Sequence, residues 1–326
     1  MPYEMFDRTG LKILPLSKRK NLYTLDRIYK LSDPLPEYSH PLLGEVAQHV
    51  AEAFLKQKQI IWMQGAHIIR QGNSRYIIDL MERGVIKHFA TNGAAAIHDF
   101  EFALIGATCE SVEENVQDGT FGNWEETGRY MNEAVIRGYK DGLGYGESIG
   151  RLIQNEENGI KFPFKDVSVF AAAYRLKIPA TVHKSIGYDI IEQHPASDYT
   201  IVGGAIGRDF LIYAQSVTKL DGGILFNFGS QVMGPEVFLK SLSMARNVAI
   251  QNGKQISNFT VINFDIKNYE DPHTVGRMTD THYYDRVKKT LLNRTVKGGG
   301  ESFHISGDFR LTIPNFYHEI IKRIGK

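Results

Sequence analysis

The sequence holds a single cysteine, Cys109, among 326 residues. That excludes an internal disulfide framework and a zinc knuckle built on cysteine pairs, and it fits a reducing compartment. An excess of either charge is also missing, with 38 Lys and Arg against 37 Asp and Glu. Such a balance leaves no electrostatic footprint for nucleic acid and no polybasic membrane anchor. No apolar run approaches the ~18 residues of a membrane span, and the opening MPYEMFDRTG has no signal-peptide core. We therefore expect a cytoplasmic protein with neither a nucleic-acid nor a membrane partner. Familiar fingerprints are lacking too. The sequence contains no GxGxxG, no P-loop and no HExxH, so no nucleotide site is announced by motif.

What is present is an alternation. Residues 1–40 form a polar, Pro-punctuated lead-in with no sustained period, read as an extension that packs on a core of residues 41–326. After Pro41, the residues Leu42, Val46, Val50 and Phe54 share one helical face. Strand-like runs then follow at Gln59–Met63, Val85–Ala90, Ala180–Val182, Ile224–Phe228, Phe259–Phe264 and Ser302–Ile305. Helical stretches lie between them, at Asn73–Arg83, Ala95–Ile105, Val167–Lys177, Arg208–Lys219, Glu236–Ala249 and Asp280–Leu292, with a last one at Ile313–Ile324. Between Asp118 and Asn158 the strand signal vanishes, leaving two helices around the turn DGLGYG. Strands alternating with helices predict βαβ units, hence one large α/β domain whose doubly wound, mainly parallel sheet has about six or more strands.

In such a sheet ligands bind beyond the carboxyl ends of the strands. The polar loops there are Gly65-Ala66-His67, Thr91-Asn92-Gly93 with His98-Asp99, His183 to Asp189, Gly229-Ser230, Asn263 to Asp265 and Gly307-Asp308. Glycine lets the backbone approach a phosphate or ribose, and a following helix N-terminus favours an anion; taken singly, each glycine is also an ordinary turn. His67, His98 and His183 follow different strands, which leaves a metal-dependent enzyme as one alternative and hydrogen-bonding histidines as the other.

At these loops the sequence resembles the deoxyhypusine synthase family. The stretches that carry the resemblance are HFATNGAAAIHD, IPATVHKSIGYDI, GGILFNFGSQVMGPEVFLKSLSMARN, FTVINFDI and FHISGDFRLTIP. The resemblance implies a Rossmann-like fold, a homotetramer, and an NAD-dependent enzyme that transfers an aminoalkyl group from a polyamine or related small-molecule amine. It implies NAD contacts at Ala66, His67, Thr91, Asn92, Gly93, His183, Gly229, Phe264 and Asp308. It implies acidic roles for Asp99 and Asp189, with Asp189 on a polyamine nitrogen, and an imine-forming nucleophile at Lys297. An imine requires an uncharged amine, so Lys297 must be buried, whereas the Gly298–Gly300 run beside it points to a solvated loop. Without that lysine, bound NAD would still serve to oxidise an amine or alcohol, with His98 or His183 as proton acceptor. The remaining alternative is a pseudo-enzyme that binds a nucleotide without turnover.

Overall fold

The apolar runs become strands because both faces of each are covered. The computed structural model describes residues 3–280 and 283–325. Among these are eight strands: β1 (Tyr23–Thr24), β2 (Ile60–Gln64), β3 (His88–Thr91), β4 (Ala107–Thr108), β5 (Ala180–Val182), β6 (Ile224–Phe228), β7 (Thr260–Asp265) and β8 (Glu301–Ser306). Six form one sheet in the order β5-β3-β2-β6-β7-β8, with every neighbouring pair parallel. The architecture is the Rossmann-like, doubly wound sheet that the alternation implies, in a single α/β domain.

Side chains alternate between two cores. Ile60 and Trp62 of β2 join Phe226, Phe228 and Phe264 on one face, while Ile61, Met63, Leu225 and Val261 pack on the other. That two-sided burial explains why these strands read as unbroken apolar runs. Trp62 stacks on Phe228 with ring centroids 4.0 Å apart, and Phe228 on Phe264 at 4.7 Å. Each such ring, removed from water, contributes about 1.5–3 kcal/mol.

Several boundaries move. The helix expected at 208–219 spans Tyr199–Val217, capped by Asp198 through the amides of Thr200 and Ile201. Gly203, Gly204 and Gly207, poor helix formers, hid its first turns. The expected strand at 85–90 begins only at His88, because Val85 and Ile86 still donate to the carbonyl of Leu80 at the preceding helix end. The helix expected at 280–292 is replaced by a π-type helix, Val287–Arg294; positions 281 and 282 lie outside the described residues. The two helices around DGLGYG occur as Glu125–Lys140 and Tyr145–Asn155.

Unforeseen was the pairing of β1 with β4, which ties the lead-in to the core as an antiparallel ribbon. Arg8 donates to the carbonyls of Glu192, His194 and Ser197. The last helix, Phe309–Ile324, contains Pro314. A proline there leaves the carbonyl four residues earlier without its amide donor, and the Tyr29 hydroxyl donates to that carbonyl, Arg310 O, at 3.1 Å. Among the described residues, no helix is long and apolar enough to cross a membrane.

Candidate functional site

The chain runs outward from β2 to β3 and β5, then returns to lay β6 against the other side of β2 and continues to β7 and β8. The order therefore reverses between β2 and β6, where the loops diverge and leave a crevice. The loop backbones are in close contact there: a Cβ on Gly65 would sit 2.8 Å from the carbonyl oxygen of Gly229, and Gly229 itself has a φ of +61°. Both positions need glycine.

A cavity of about 930 Å³ opens over this reversal. Its wall includes Ala66, His67, Asn92, Gly93, His183 and Gly229, six of the nine positions expected to hold NAD, and also His98. The N-termini of the helices Gly93–Ile105 and Met233–Gln251 contribute to the same wall, as do Gly203 and Gly207. Asn92 accepts from the amide of Ala95 at 3.0 Å and so starts its helix.

The other expected residues lie elsewhere. Thr91 is buried beneath the cavity, its hydroxyl donating to Gln64 O at 3.0 Å. Phe264 is a core ring stacked on Phe228. Asp308 is exposed and caps the last helix through the amide of Arg310. Asp99 turns away from the cavity and caps another helix, Val169–Leu176, accepting from the amides of Val169 and Phe170 and from the Ser168 hydroxyl. Burial pushes its pKa to about 7. Lys297 lies in an exposed turn before β8, at the amino end of the sheet and thus opposite the cavity. The Gly run does mark a solvated loop, and the imine role has no support in this geometry.

The lysine at the cavity is Lys184, two residues beyond β5, which the sequence did not single out. Its side chain is 1% exposed and bridges Asp189, at 3.1 Å, and Glu192. Its Nζ also sits 4.8 Å from the ring centroid of Tyr145. Burial alone would depress the amine, but Tyr145, Asp189 and Glu192 outweigh it and hold the pKa above its ordinary value. Lys184 is therefore a fixed cation, not an imine-forming nucleophile. Asp189, proposed to grip a polyamine, is occupied by this ammonium. The available signal was the pair Asp189 and Glu192, which close a capping box five residues after the lysine.

Two histidines of the wall, His98 and His183, are held by threonine hydroxyls. His98 Nδ1 lies 2.9 Å from Thr108 Oγ1, whose only proton goes to Glu101 at 2.6 Å. The hydroxyl oxygen can then only accept from His98, so Nδ1 carries the proton and Nε2 holds the lone pair. Burial brings the His98 pKa down to about 4 and pushes the neighbouring Cys109 thiol up to about 11. His183 Nε2 meets Thr181 Oγ1 at 3.0 Å, and burial lowers its pKa to about 3. Both imidazoles are neutral near pH 7. His67 Nε2 accepts from Arg70 at 2.5 Å. Among the described residues, no three His, Cys, Asp or Glu side chains are grouped to hold a metal ion, so the His67/His98/His183 metal reading lacks a ligand set.

Behind His183 lies His88, fully buried, with a pKa lowered by burial to about 3 from 6.5. The sign follows: the unfolded chain binds a proton that the folded one refuses, so stability is lost as pH falls below 6.5. At pH 5 this loss amounts to about 2 kcal/mol. Urea unfolding of His88→Gln at pH 7.5 and 5 should show a smaller acid loss than the parent by about that amount; equal losses would contradict it.

No family model matches the sequence, and no curated protein matches it. Solved structures do resemble the fold. AgrE, solved in complex with ornithine and NAD+, is 14% identical over 88% of this chain, with a TM-score of 0.51. The apo structure of ArgZ, an arginine dihydrolase from the ornithine-ammonia cycle in Cyanobacteria, is 15% identical over 88% of this chain, with a TM-score of 0.50. A candidate deoxyhypusine synthase from Entamoeba histolytica is 8% identical over 86% of this chain and 87% of that one, with a TM-score of 0.42. The chain spans only about a third of the length of AgrE and ArgZ, 34% and 33%. At these identities the relation to AgrE and ArgZ is one of fold alone.

Proposed function

We propose that this chain binds NAD or a related dinucleotide in the crevice between β2 and β6 and uses it to oxidise a small molecule bearing an amine. The observation that carries the reading is the strand order. Numbered from β2, the sheet runs 3-2-1-4-5-6, the order in which dinucleotides lie across the central reversal, and a 930 Å³ cavity opens there. The residues fit the group. Gly65 and Gly229 bring bare backbone to the crevice floor, and two helix N-termini favour a pyrophosphate. AgrE, whose fold this chain shares, was solved with NAD+ and ornithine. When bound, the nicotinamide accepts a hydride; this chain supplies the cradle and the neutral imidazoles of His98 and His183 for the departing proton. Asn92 stands where folds of this order commonly keep a carboxylate for the ribose, so NADP belongs beside NAD in the test.

The test is calorimetric titration with NAD and NADP, followed by an amine panel read as absorbance of the reduced nicotinamide. Saturable binding and turnover are expected. No binding at millimolar concentration overturns the reading. Binding without turnover leaves a nucleotide-binding protein. The helix Tyr199–Val217 sharpens the test, because a Cβ on Gly203 or Gly207 would meet nothing within 4 Å. Gly203→Ala and Gly207→Ala should each stabilise the fold by about 0.5–1 kcal/mol, visible in thermal melts. Gly207→Leu should keep the fold but fill the cavity and weaken NAD binding by about tenfold or more. Unchanged affinity would put the ligand elsewhere.

A further inference from the structure

His88 takes no part in the cavity wall, yet it is the middle of a continuous hydrogen-bonded line. Ser216 Oγ lies 2.7 Å from His88 Nδ1, His88 Nε2 lies 2.9 Å from Thr181 Oγ1, and Thr181 Oγ1 lies 3.0 Å from His183 Nε2. His88, Thr181 and His183 are all buried, with exposures of 0%, 0% and 4%. Tyr213 stands edge-on to both imidazoles, with centroids 5.3 and 5.1 Å away, and holds them in place. At one end His183 borders the cavity, and its Nδ1 has no hydrogen-bond partner among the described residues. At the other end Ser216 is half-buried on the helix Tyr199–Val217 and reaches the outer surface of the fold.

Neutral rings and single hydroxyls leave this line only two arrangements. In one, His183 donates from Nε2 to Thr181, Thr181 donates to His88 Nε2, and His88 donates from Nδ1 to Ser216. His183 Nδ1 then carries a lone pair toward the cavity. In the other, all three bonds point the opposite way and His183 Nδ1 carries the proton. Each link holds one proton in either case, so a change at one end must be matched at the other.

We propose that His183, Thr181, His88 and Ser216 form a proton exit from the cavity, with His88 as the positioning residue that sets the tautomer of His183. The proposal rests on the oxidative reading above and names the route its proton takes. A proton leaving the substrate binds Nδ1 of His183. Nε2 releases its own to Thr181, which passes its proton to Nε2 of His88. Nδ1 of His88 releases its proton to Ser216, and Ser216 gives its own to water. One proton enters and one leaves, no charge remains buried, and the line ends in the second arrangement. His98 lacks such an exit: its line ends at Glu101, a carboxylate already held by Arg19.

The test uses the free protein with ¹⁵N-labelled histidine, whose two ring-nitrogen shifts report the tautomer. Ser216→Ala touches His88 alone. A buried N–H without an acceptor costs more than a bare lone pair, so His88 should move its proton to Nε2 and His183 its proton to Nδ1. The expected result is a change of about twofold or more in the His183 tautomer ratio across two intervening hydrogen bonds. Thr181→Val, which cuts the line, should remove the response of His183 to Ser216→Ala. If Ser216→Ala shifts His88 and leaves His183 unchanged, the line is packing and the proposal falls. NAD titration of the parent and of Ser216→Ala separates the two readings. Absent binding in both rejects the cofactor while the tautomer coupling stands, and equal binding with uncoupled tautomers rejects only the proton exit.

Discussion

Lys184→Met should cost about 3–5 kcal/mol of stability, because it removes one partner from a buried ionic cluster and leaves the others uncompensated. Asp189 and Glu192 approach the ammonium from one side and the face of Tyr145 from another, with side-chain exposures of 1%, 5% and 3% for Lys184, Asp189 and Glu192. Methionine keeps the length and the apolar stem and deletes the charge. Two carboxylates would then face each other out of water, and one must take a proton to remain. The pH dependence follows. Asp189 is already raised by burial, against the pull of Lys184, and losing the ammonium raises it further. A carboxyl whose folded pKa exceeds its unfolded one stabilises at low pH and loses that stabilisation as pH rises. The variant should thus be weaker against urea at pH 8 than at pH 5, by a wider margin than the parent. Adding Asp189→Asn and Glu192→Gln should recover part of the loss, a coupling that distant substitutions would not show. A loss under about 1 kcal/mol at pH 8 would mean the three groups do not form the cluster. The site would feel the change, since the Asp189 carboxylate packs on Gly93 so closely that a Cβ there would collide with it.

This cluster also shows where the sequence stops being readable. The six sheet strands were legible, because burial on both faces leaves apolar runs that local pattern detects. Their order was not, since register is a matter of contacts far apart in the chain. The ligand end was still legible, because a parallel sheet sends every strand-end loop to one edge; that is why Ala66, His67, Asn92, Gly93, His98, His183 and Gly229 converge. The errors have separate causes. Asp99 and Asp308 occupy the right edge, but each side chain is consumed as a helix cap. Lys297 precedes its strand, so it belongs to the opposite edge whatever its local composition. Lys184 follows its strand and is buried only because Asp189 and Glu192 fold back over it. A lysine's burial is set by partners that local pattern does not display.

Arg19→Met should cost a similar amount, about 3–5 kcal/mol, and should reach the cavity from the far side of the lead-in. Arg19 holds Glu101 with two parallel bonds of 2.7 and 2.8 Å, both groups buried, and its guanidinium lies 5.8 Å from the Trp124 ring centroid. The hydroxyls of Thr108 and Thr127 also donate to that carboxylate, at 2.6 and 2.8 Å. Burial would raise the Glu101 pKa, but Arg19 and the hydroxyls outweigh it and keep it below the ordinary value. Such a depressed carboxyl contributes stability above its unfolded pKa of about 4.5 and loses it as pH falls through the folded value. Without Arg19 the sign reverses, because Glu101 becomes a lone buried acid that prefers its proton. The gap between parent and variant in urea unfolding should therefore be widest near pH 7.5 and narrow toward pH 4.5. A gap independent of pH would assign the loss to packing instead of charge. The second readout is His98. Thr108 gives its proton to Glu101 only while that group is a carboxylate, and this fixes the His98 proton on Nδ1 and its lone pair on Nε2. A protonated Glu101 needs no donor from Thr108, which frees the hydroxyl to donate to His98 and to reverse the tautomer. In ¹⁵N spectra near pH 7, Arg19→Met should shift the His98 nitrogens toward the Nε2–H form while His183, on a separate line, stays as it was. If His98 does not move, the lead-in steadies the fold without setting the proton inventory of the cavity.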